Sequence, residues 1–267
     1  MFKIAIITAQ IGNSDCQELT FSTECVNDFK KYGIDVFRFN NNNLDELKTY
    51  FEPTIPKEQI FKGTKFYKLR NWFTDNLIYK QKICPSKDDN YSRLIAKIPK
   101  ITFYKLVPQN YDYYIWLDSK FIIYNHWLDY VLWLINKYPD NDIITSSHSE
   151  RKTIQQELDL MNEQILKYKT KSFLTKYNLL EIDQQVKLYL KSPKFIDDKL
   201  YELTMIIYSS KILGKTDFLD EWYAHNFFFS IQDQLSFPYL CKKYNIDVIG
   251  IKQDVFNMPF TKHEYGL

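Results

Sequence analysis

Short apolar runs alternate with polar turns along this chain, and their lengths and periods predict a sequence of strands and helices. Lys3 to Ala9 is a continuous apolar run that reads as a buried strand, ending in the polar turn Gln10 to Asp15 around Gly12. Cys25 to Tyr32 has helical spacing, and Gly33 behind it is a natural C-cap. Ile34 to Phe39 is β-branched and aromatic and is stopped by the asparagines at 40 to 43. Strand, helix and strand at this spacing make a βαβ unit and predict a parallel sheet.

A short helix is expected over Asp45 to Phe51. Loop and a helix near Tyr67 to Tyr79 share the stretch from Pro53 to Pro85. Tyr91 to Val107 is basic and helical, with a bend near Pro99. Tyr111 to Leu117 and Phe121 to Tyr124 read as two strands in close succession, followed by an amphipathic helix from Trp127 to Tyr138 and a strand from Asp142 to Thr145. Glu150 to Leu190 is long, polar and helical, broken around Tyr177-Asn178. Tyr201 to Tyr208 is a strand, Asp217 to Tyr244 is helical with a break near Ser230, and Ile246 to Ile251 is the last strand before an irregular tail. No repeat, low-complexity linker or boundary interrupts this order, so one domain over 1–267 is expected, with a helical insertion at about 150–195.

One carboxylate breaks the most apolar of these runs. In Tyr113-Tyr114-Ile115-Trp116-Leu117-Asp118-Ser119-Lys120-Phe121, an unpaired buried acid would cost several kcal/mol. The strand therefore ends near Leu117 and delivers Asp118 to the rim of the sheet, opposite something cationic. In α/β proteins that rim is where ligands bind.

Composition narrows the function classes. Hydrophobic residues at 45% and aromatics at 17% belong to a folded protein. The 35 basic and 33 acidic residues nearly cancel to +2, which argues against nucleic-acid binding by bulk charge. Among the basic residues only Arg38, Arg70, Arg93 and Arg151 are arginines. Each is a candidate bidentate contact to phosphate or carboxylate, unless AT-rich coding alone explains their scarcity. Cys16, Cys25, Cys84 and Cys241 show no CxxC pairing and read as reduced thiols. The first residues are too short a run for a signal-peptide core, and no apolar run approaches the roughly 20 residues of a membrane span. A cytoplasmic protein is expected.

Four constellations carry candidate chemistry, each with a plainer structural reading beside it. His263-Glu264-Tyr265-Gly266 in the tail is either an exposed terminal segment or a metal ligand reaching back to Asp118. His148-Ser149-Glu150-Arg151 opens the long polar helix, as an anion site with Arg151 or as ordinary capping by Ser147 or Ser149. Glu157 lies further along that helix, where solvation alone would account for it. Asp233-Gln234-Leu235-Ser236-Phe237 sets an acid and an amide at a helix start, for sugar hydroxyls, as a base, or as an N-cap. Arg93, Lys97 and Lys100 share a helix face that is either solvated or aimed at a diphosphate.

Taken in order, these segments resemble the turgor-regulation-defect and mucilage-related family of glycosyltransferase-like proteins, from about Lys3 to Tyr239. The matching pieces are Thr8 to Asp15, Arg93 with Ala96-Lys97 and Lys100, and Tyr111 to Lys120 with its Trp-Leu-Asp core. His148, Arg151 and Glu157 follow, then Tyr201-Glu202, Trp222 and Asp233 to Phe237. The family is similar to nucleotide-sugar-dependent GT-A glycosyltransferases, which implies an α/β fold with a Rossmann-type, mostly parallel sheet flanked by helices. It also implies an Asp-x-Asp motif holding a divalent metal, Mn²⁺ or Mg²⁺, on the donor's diphosphate. Asp118 matches the first Asp of that motif, and Lys120 occupies the second position. Gln232 stands where the family usually has Arg. The terminal His-x-x-Gly resembles the metal-binding His of glycogenin-like transferases.

The resemblance implies a nucleotide-sugar donor, UDP-linked, and a glycan or glycoprotein acceptor. Donor contacts would come from Thr8, Ala9, Gln10, Arg93, Lys97, Asp118, Ser119 and Lys120, and metal ligands would be Asp118 and His263. Asp233, Glu202 and Gln234 would serve catalysis, with His148, Arg151 and Glu157 toward acceptor or phosphate. Two rivals remain. One is a non-catalytic carbohydrate- or protein-binding module. The other is a sugar-nucleotide nucleotidyltransferase, for which the turn at Gln10 to Asp15 lacks any Lys or Arg.

Overall fold

The apolar run after Lys3 forms β1 (Ile4–Gln10), buried on both faces as a continuous hydrophobic strand requires. A computed structural model describes residues 2–12, 19–60, 90–124, 126–168, 179–252 and 260–262. After β1 come β2 (Thr20–Phe21), α1 (Thr23–Tyr32), β3 (Asp35–Asn40), α2 (Leu44–Lys48) and α3 (Lys57–Ile60). Then follow α4 (Asn90–Ile101), β4 (Tyr113–Leu117), β5 (Phe121–Ile123), α5 (Trp127–Lys137), β6 (Ile143–Ser147), α6 (Ile154–Tyr168) and α7 (Leu179–Leu190). The last elements are β7 (Tyr201–Ser209), α8 (Thr216–Phe228), α9 (Asp233–Lys243), β8 (Val248–Ile251) and β9 (Phe260–Lys262).

The βαβ unit expected from the sequence is present. Ser22 caps α1 by accepting from the amide of Cys25, and Gly33 ends it in the left-handed region at φ 65°, where a side chain would be strained. β1 then pairs in parallel with β3, Ile6 opposite Val36. The main sheet runs β3-β1-β4-β7-β6-β8, and every strand points the same way except β7, antiparallel to both its neighbours. It is therefore mostly parallel and not wholly so. A second sheet, β2-β5-β9, was not anticipated. Its strands are two or three residues long, and β9 falls in a tail expected to be irregular. The helix expected near Tyr67 to Tyr79 and the break at Tyr177-Asn178 lie outside the described residues.

Alternation along the central strands divides the core into two layers. Ala5, Ile7, Tyr114 and Trp116 face a cluster closed by α4, α8 and α9, through Ile95, Ile98, Trp222 and Phe237. Ile4, Ile6, Ile115 and Leu117 face the opposite cluster, closed by Phe29 of α1 and Trp127 and Val131 of α5. Helices α6 and α7 bury Ile154, Leu158, Ile182 and Val186 against Leu200 and Leu235 in a third cluster. No helix among the described residues is long and apolar enough to cross a membrane.

A buried acid fixes α8 to α9. Glu221 accepts from the Lys243 ammonium at 2.5 and 2.6 Å and from the Tyr244 hydroxyl, and lies 3.3 Å from His225 Nε2. His225 in turn meets the Tyr189 hydroxyl of α7 at 2.5 Å. Burial pushes the Glu221 carboxyl up, but its bonds to His225, Lys243 and Tyr244 outweigh that and bring it to about 2. A carboxyl depressed on folding stabilises the fold above its unfolded value, and that stability disappears as pH falls toward 2. Glu221→Gln is expected to cost about 3 kcal/mol at pH 7. In chemical denaturation across pH, the deficit should shrink below pH ~4.5, whereas a pH-independent deficit would contradict the assignment.

Candidate active site

The C-terminal ends of the parallel strands meet the N-terminal end of antiparallel β7 at one edge of the sheet. Asp118 is the first residue past β4 on that edge. Its amide donates to the Thr204 carbonyl at 2.9 Å. This bond continues the β4–β7 ladder one step past Leu117–Met205, while on its other side β7 is irregular: pairing with β6 jumps from Ile206 to Glu202 between Thr145 and Ser146. The Thr145 hydroxyl bonds to the carbonyls of both Glu202, at 2.9 Å, and Met205, at 2.8 Å, which pins the irregularity. Such bulges re-aim backbone beside sites. Trp116 sits two residues before Asp118, and its indole N–H donates to Asp118 Oδ1 at 2.8 Å. Lys120 Nζ lies 3.2 Å from the other oxygen, Oδ2. The Asp118 side chain remains 26% exposed, so it is paired and still reachable.

Beneath it lies a second carboxylate with two lysines. Asp233 Oδ2 receives Lys97 Nζ and Lys100 Nζ at 2.6 Å each, and Lys100 Nζ is also 4.0 Å from Asp118 Oδ1. The last carbonyls of a helix lack intrahelical partners, and that of Lys100, near the end of α4, accepts from the Tyr208 hydroxyl at 2.9 Å. At the start of α9, the Asp233 carbonyl accepts from Trp222 Nε1 at 3.3 Å. Burial pushes the Asp233 carboxyl up, but Lys100 and Lys97 hold it far below the usual range. Burial likewise opposes ionisation of Asp118, and Lys120, Lys100 and Lys97 outweigh it. Burial lowers Lys97 to about 8 against the pull of Asp233. Lys97 and Lys100 are thus not a solvated face, and Asp233 is not an N-cap. Gln232 holds the cap position, without a side-chain bond.

His148, Arg151 and Glu157 also come together. Arg151 donates from Nε to Glu157, which is buried and not merely solvated. Its Nη2 lies 2.6 Å from His148 Nε2. Burial, then Arg151, push His148 below its ordinary value, so the ring is neutral at pH 7. The expected anion site at a helix start is corrected. Helix α6 begins at Ile154, three residues after Arg151, and the amides of Ile154 and Gln155 are taken by the Asp197 carboxylate at 2.8 and 3.2 Å. Neither Ser147 nor Ser149 caps it; Thr153 Oγ1 accepts from Gln156 at 3.0 Å. What does open beside the cluster is a cavity of about 680 Å³, lined by Ser147, His148, Ser149, Arg151, Lys199 and Gly250 among others. Asp118 is not in its wall.

The remaining expected residues are scattered in role. Thr8 and Ala9 are buried within β1, and the Thr8 hydroxyl has no hydrogen-bond partner among the described residues. Gln10 ends that strand. The following Gly12 adopts φ 89°, its amide donating to Asn41 Oδ1 at 2.9 Å, and a Cβ there would sit 2.8 Å from Ser92 Oγ of α4. Glycine therefore lets α4 close on the turn, one step from Arg93. Ser119 and Glu202 are partly exposed at the edge, and Gln234 Nε2 donates to the Tyr201 carbonyl at 3.2 Å. Arg38 bonds the Leu19 carbonyl at 2.8 Å and stacks on Phe21, a structural post.

The described residues do not make a divalent-cation site. No three His, Cys, Asp or Glu side chains converge among them, and both Asp118 oxygens are engaged by Trp116 and Lys120. His263 lies outside the described residues. Two participants escaped the sequence reading. Trp116 was legible in principle, because i and i+2 share a strand face. Asp197 was not, since it arrives from 43 residues away.

No curated protein matches the sequence significantly. Among solved structures, the chain is similar to mouse xyloside xylosyltransferase 1 in its apo form, at 9% identity and TM-score 0.40, covering 94% of this chain and 84% of that one. It is also similar to the apo bifunctional glycosyltransferase WbbM, at 12% identity and TM-score 0.39, over 94% of this chain and 39% of that one. A197 from STIV aligns at 8% identity and TM-score 0.32, over 94% and 82%. The model of the TOD1/MUCI70 glycosyltransferase-like domain matches residues 76–264, more than half of the chain and both halves of the lysine–carboxylate network. The chain belongs to this TOD1/MUCI70 family of glycosyltransferase-like domains.

Proposed function

We propose that the chain transfers a sugar from a nucleotide-sugar donor, UDP-linked, to a glycan or glycosylated acceptor. One observation carries the reading beyond family membership. Asp118 stands at the tip of a central strand, reachable from solvent, with Lys120 beside it and Lys100 behind it. In the reaction the bond between the sugar's anomeric carbon and the diphosphate oxygen breaks, and the diphosphate leaves with the electron pair. Ammonium groups already fixed where that charge develops stabilise the transition state without reorganising. The acceptor hydroxyl oxygen bonds to the anomeric carbon, and its proton passes to a base.

For that base Glu202 is the better choice. It is partly exposed on the irregular end of β7, whereas Asp233 is saturated by two lysines and holds a proton too weakly to serve well at neutral pH. Asp233 acts instead as the counter-ion that keeps Lys97 and Lys100 in place. The cavity beside His148 and Arg151 supplies room for an acceptor on the same edge of the sheet. A metal, if bound, would neutralise charge on the diphosphate, but the described donors do not fit one.

Incubation with UDP-, GDP- and CMP-sugars, with glycan acceptors present, tests the assignment. Turnover of at least one UDP-sugar is expected, and Asp118→Asn should reduce it by about a hundredfold or more. Absence of transfer, hydrolysis and thermal shift across the panel would refute it, and unchanged glycan binding by Asp118→Asn without any turnover would favour a binding module. For the acceptor side, Ser149→Trp on the exposed cavity rim should raise the acceptor KM several-fold while leaving UDP affinity unchanged. An unaltered acceptor KM would remove the cavity from the mechanism.

A further inference from the structure

The charge at the strand tip has the wrong sign for a divalent cation. Lys97, Lys100 and Lys120 set three ammonium groups against the two carboxylates of Asp118 and Asp233, an excess of one positive charge. A cation binding Asp118 would have to strip Lys120 from Oδ2 and the Trp116 indole from Oδ1, and would then face the Lys100 ammonium 4.0 Å from Oδ1. Lys100 cannot move aside, because its side chain is 5% exposed and held by Asp233 at 2.6 Å. Lys120 differs: its side chain is 26% exposed and it has one short contact to Asp118. An ammonium has three donors, so those not used by Asp118 are available to phosphate oxygens.

We propose that this chain binds the diphosphate of its donor without a divalent cation, with Lys120 in the metal's place and Asp118 orienting it. The inference rests on the reading of the chain as a nucleotide-sugar transferase. Asp118 then has a task unlike that of a metal ligand: it fixes the direction of the Lys120 ammonium. Lys100 and Lys97, both held by the single Asp233 carboxylate, form a rigid floor whose residual positive field favours an anion above it.

Titration calorimetry of the full chain with UDP and with GDP, in EDTA and in Mn²⁺, is the test. For whichever nucleotide binds, the dissociation constants in the two conditions are expected to agree within about twofold. In EDTA, Lys120→Ala should weaken binding by about tenfold or more, as loss of a charge-assisted contact implies. Lys120 is at the surface, so its removal is not expected to unfold the chain, and a melting curve verifies this. A tenfold or larger loss on chelation of the wild-type protein would overturn the inference, as would an unchanged affinity in Lys120→Ala. If neither nucleotide binds in either condition, the donor site itself falls and this inference with it, an outcome distinct from metal-dependent binding.

Discussion

The structure depends on a buried ammonium shared between two carboxylates from distant parts of the chain. Lys100 reaches Asp233 at 2.6 Å and Asp118 at 4.0 Å, joining α4 to α9 and both to the tip of β4. Leaving either charge buried without its partner would cost about 3–5 kcal/mol, so the three elements are committed to one arrangement. The helices flanking this core are also tied elsewhere: Glu221 bonds α8 to the end of α9, and Trp222 and Tyr208 cover the backbone carbonyls that carry Asp233 and Lys100. The polar network is therefore satisfied from several sides, the condition under which buried charge rigidifies a fold.

Local irregularity and function meet at one point in the sheet. β7 pairs residue by residue with β4, and the Asp118 amide carries that ladder on to the Thr204 carbonyl. Toward β6 the pairing breaks over the same stretch of β7, and Thr145 holds the displaced backbone. This places Asp118, Lys120 and Glu202 on one rim. Strand β5 of the small sheet begins three residues after Asp118, so the chain leaves the site in a fixed direction. The Trp-Leu-Asp sequence thus has a structural meaning: Trp116 orients the carboxylate, Leu117 buries the strand end, and Asp118 reaches the edge.

Much of this was legible in the sequence because its causes are local. The run ending at Leu117 exposed Asp118 as a residue that had to find a cation, and Gly33 marked the end of α1 through the backbone angle it alone adopts readily. The spacing of Lys97 and Lys100 showed a shared face, but not that the face turns inward, because the partner that neutralises it lies 136 residues from Lys97. The same distance problem hid the Asp197 cap, and so the start of α6 was read four residues early. The reversed strand was illegible for another reason: β7 is buried and apolar whichever way it runs, so nothing in its pattern records direction.

The central claim is that the lysine-flanked carboxylate at the end of β4 receives the donor's diphosphate. A crystal structure of the chain with UDP measures this directly. The account predicts phosphate oxygens within about 3 Å of Lys120 Nζ, with the nucleotide along the strand ends. A nucleotide seated elsewhere, with the Asp118–Lys120 pair closed and dry beneath other side chains, would contradict it.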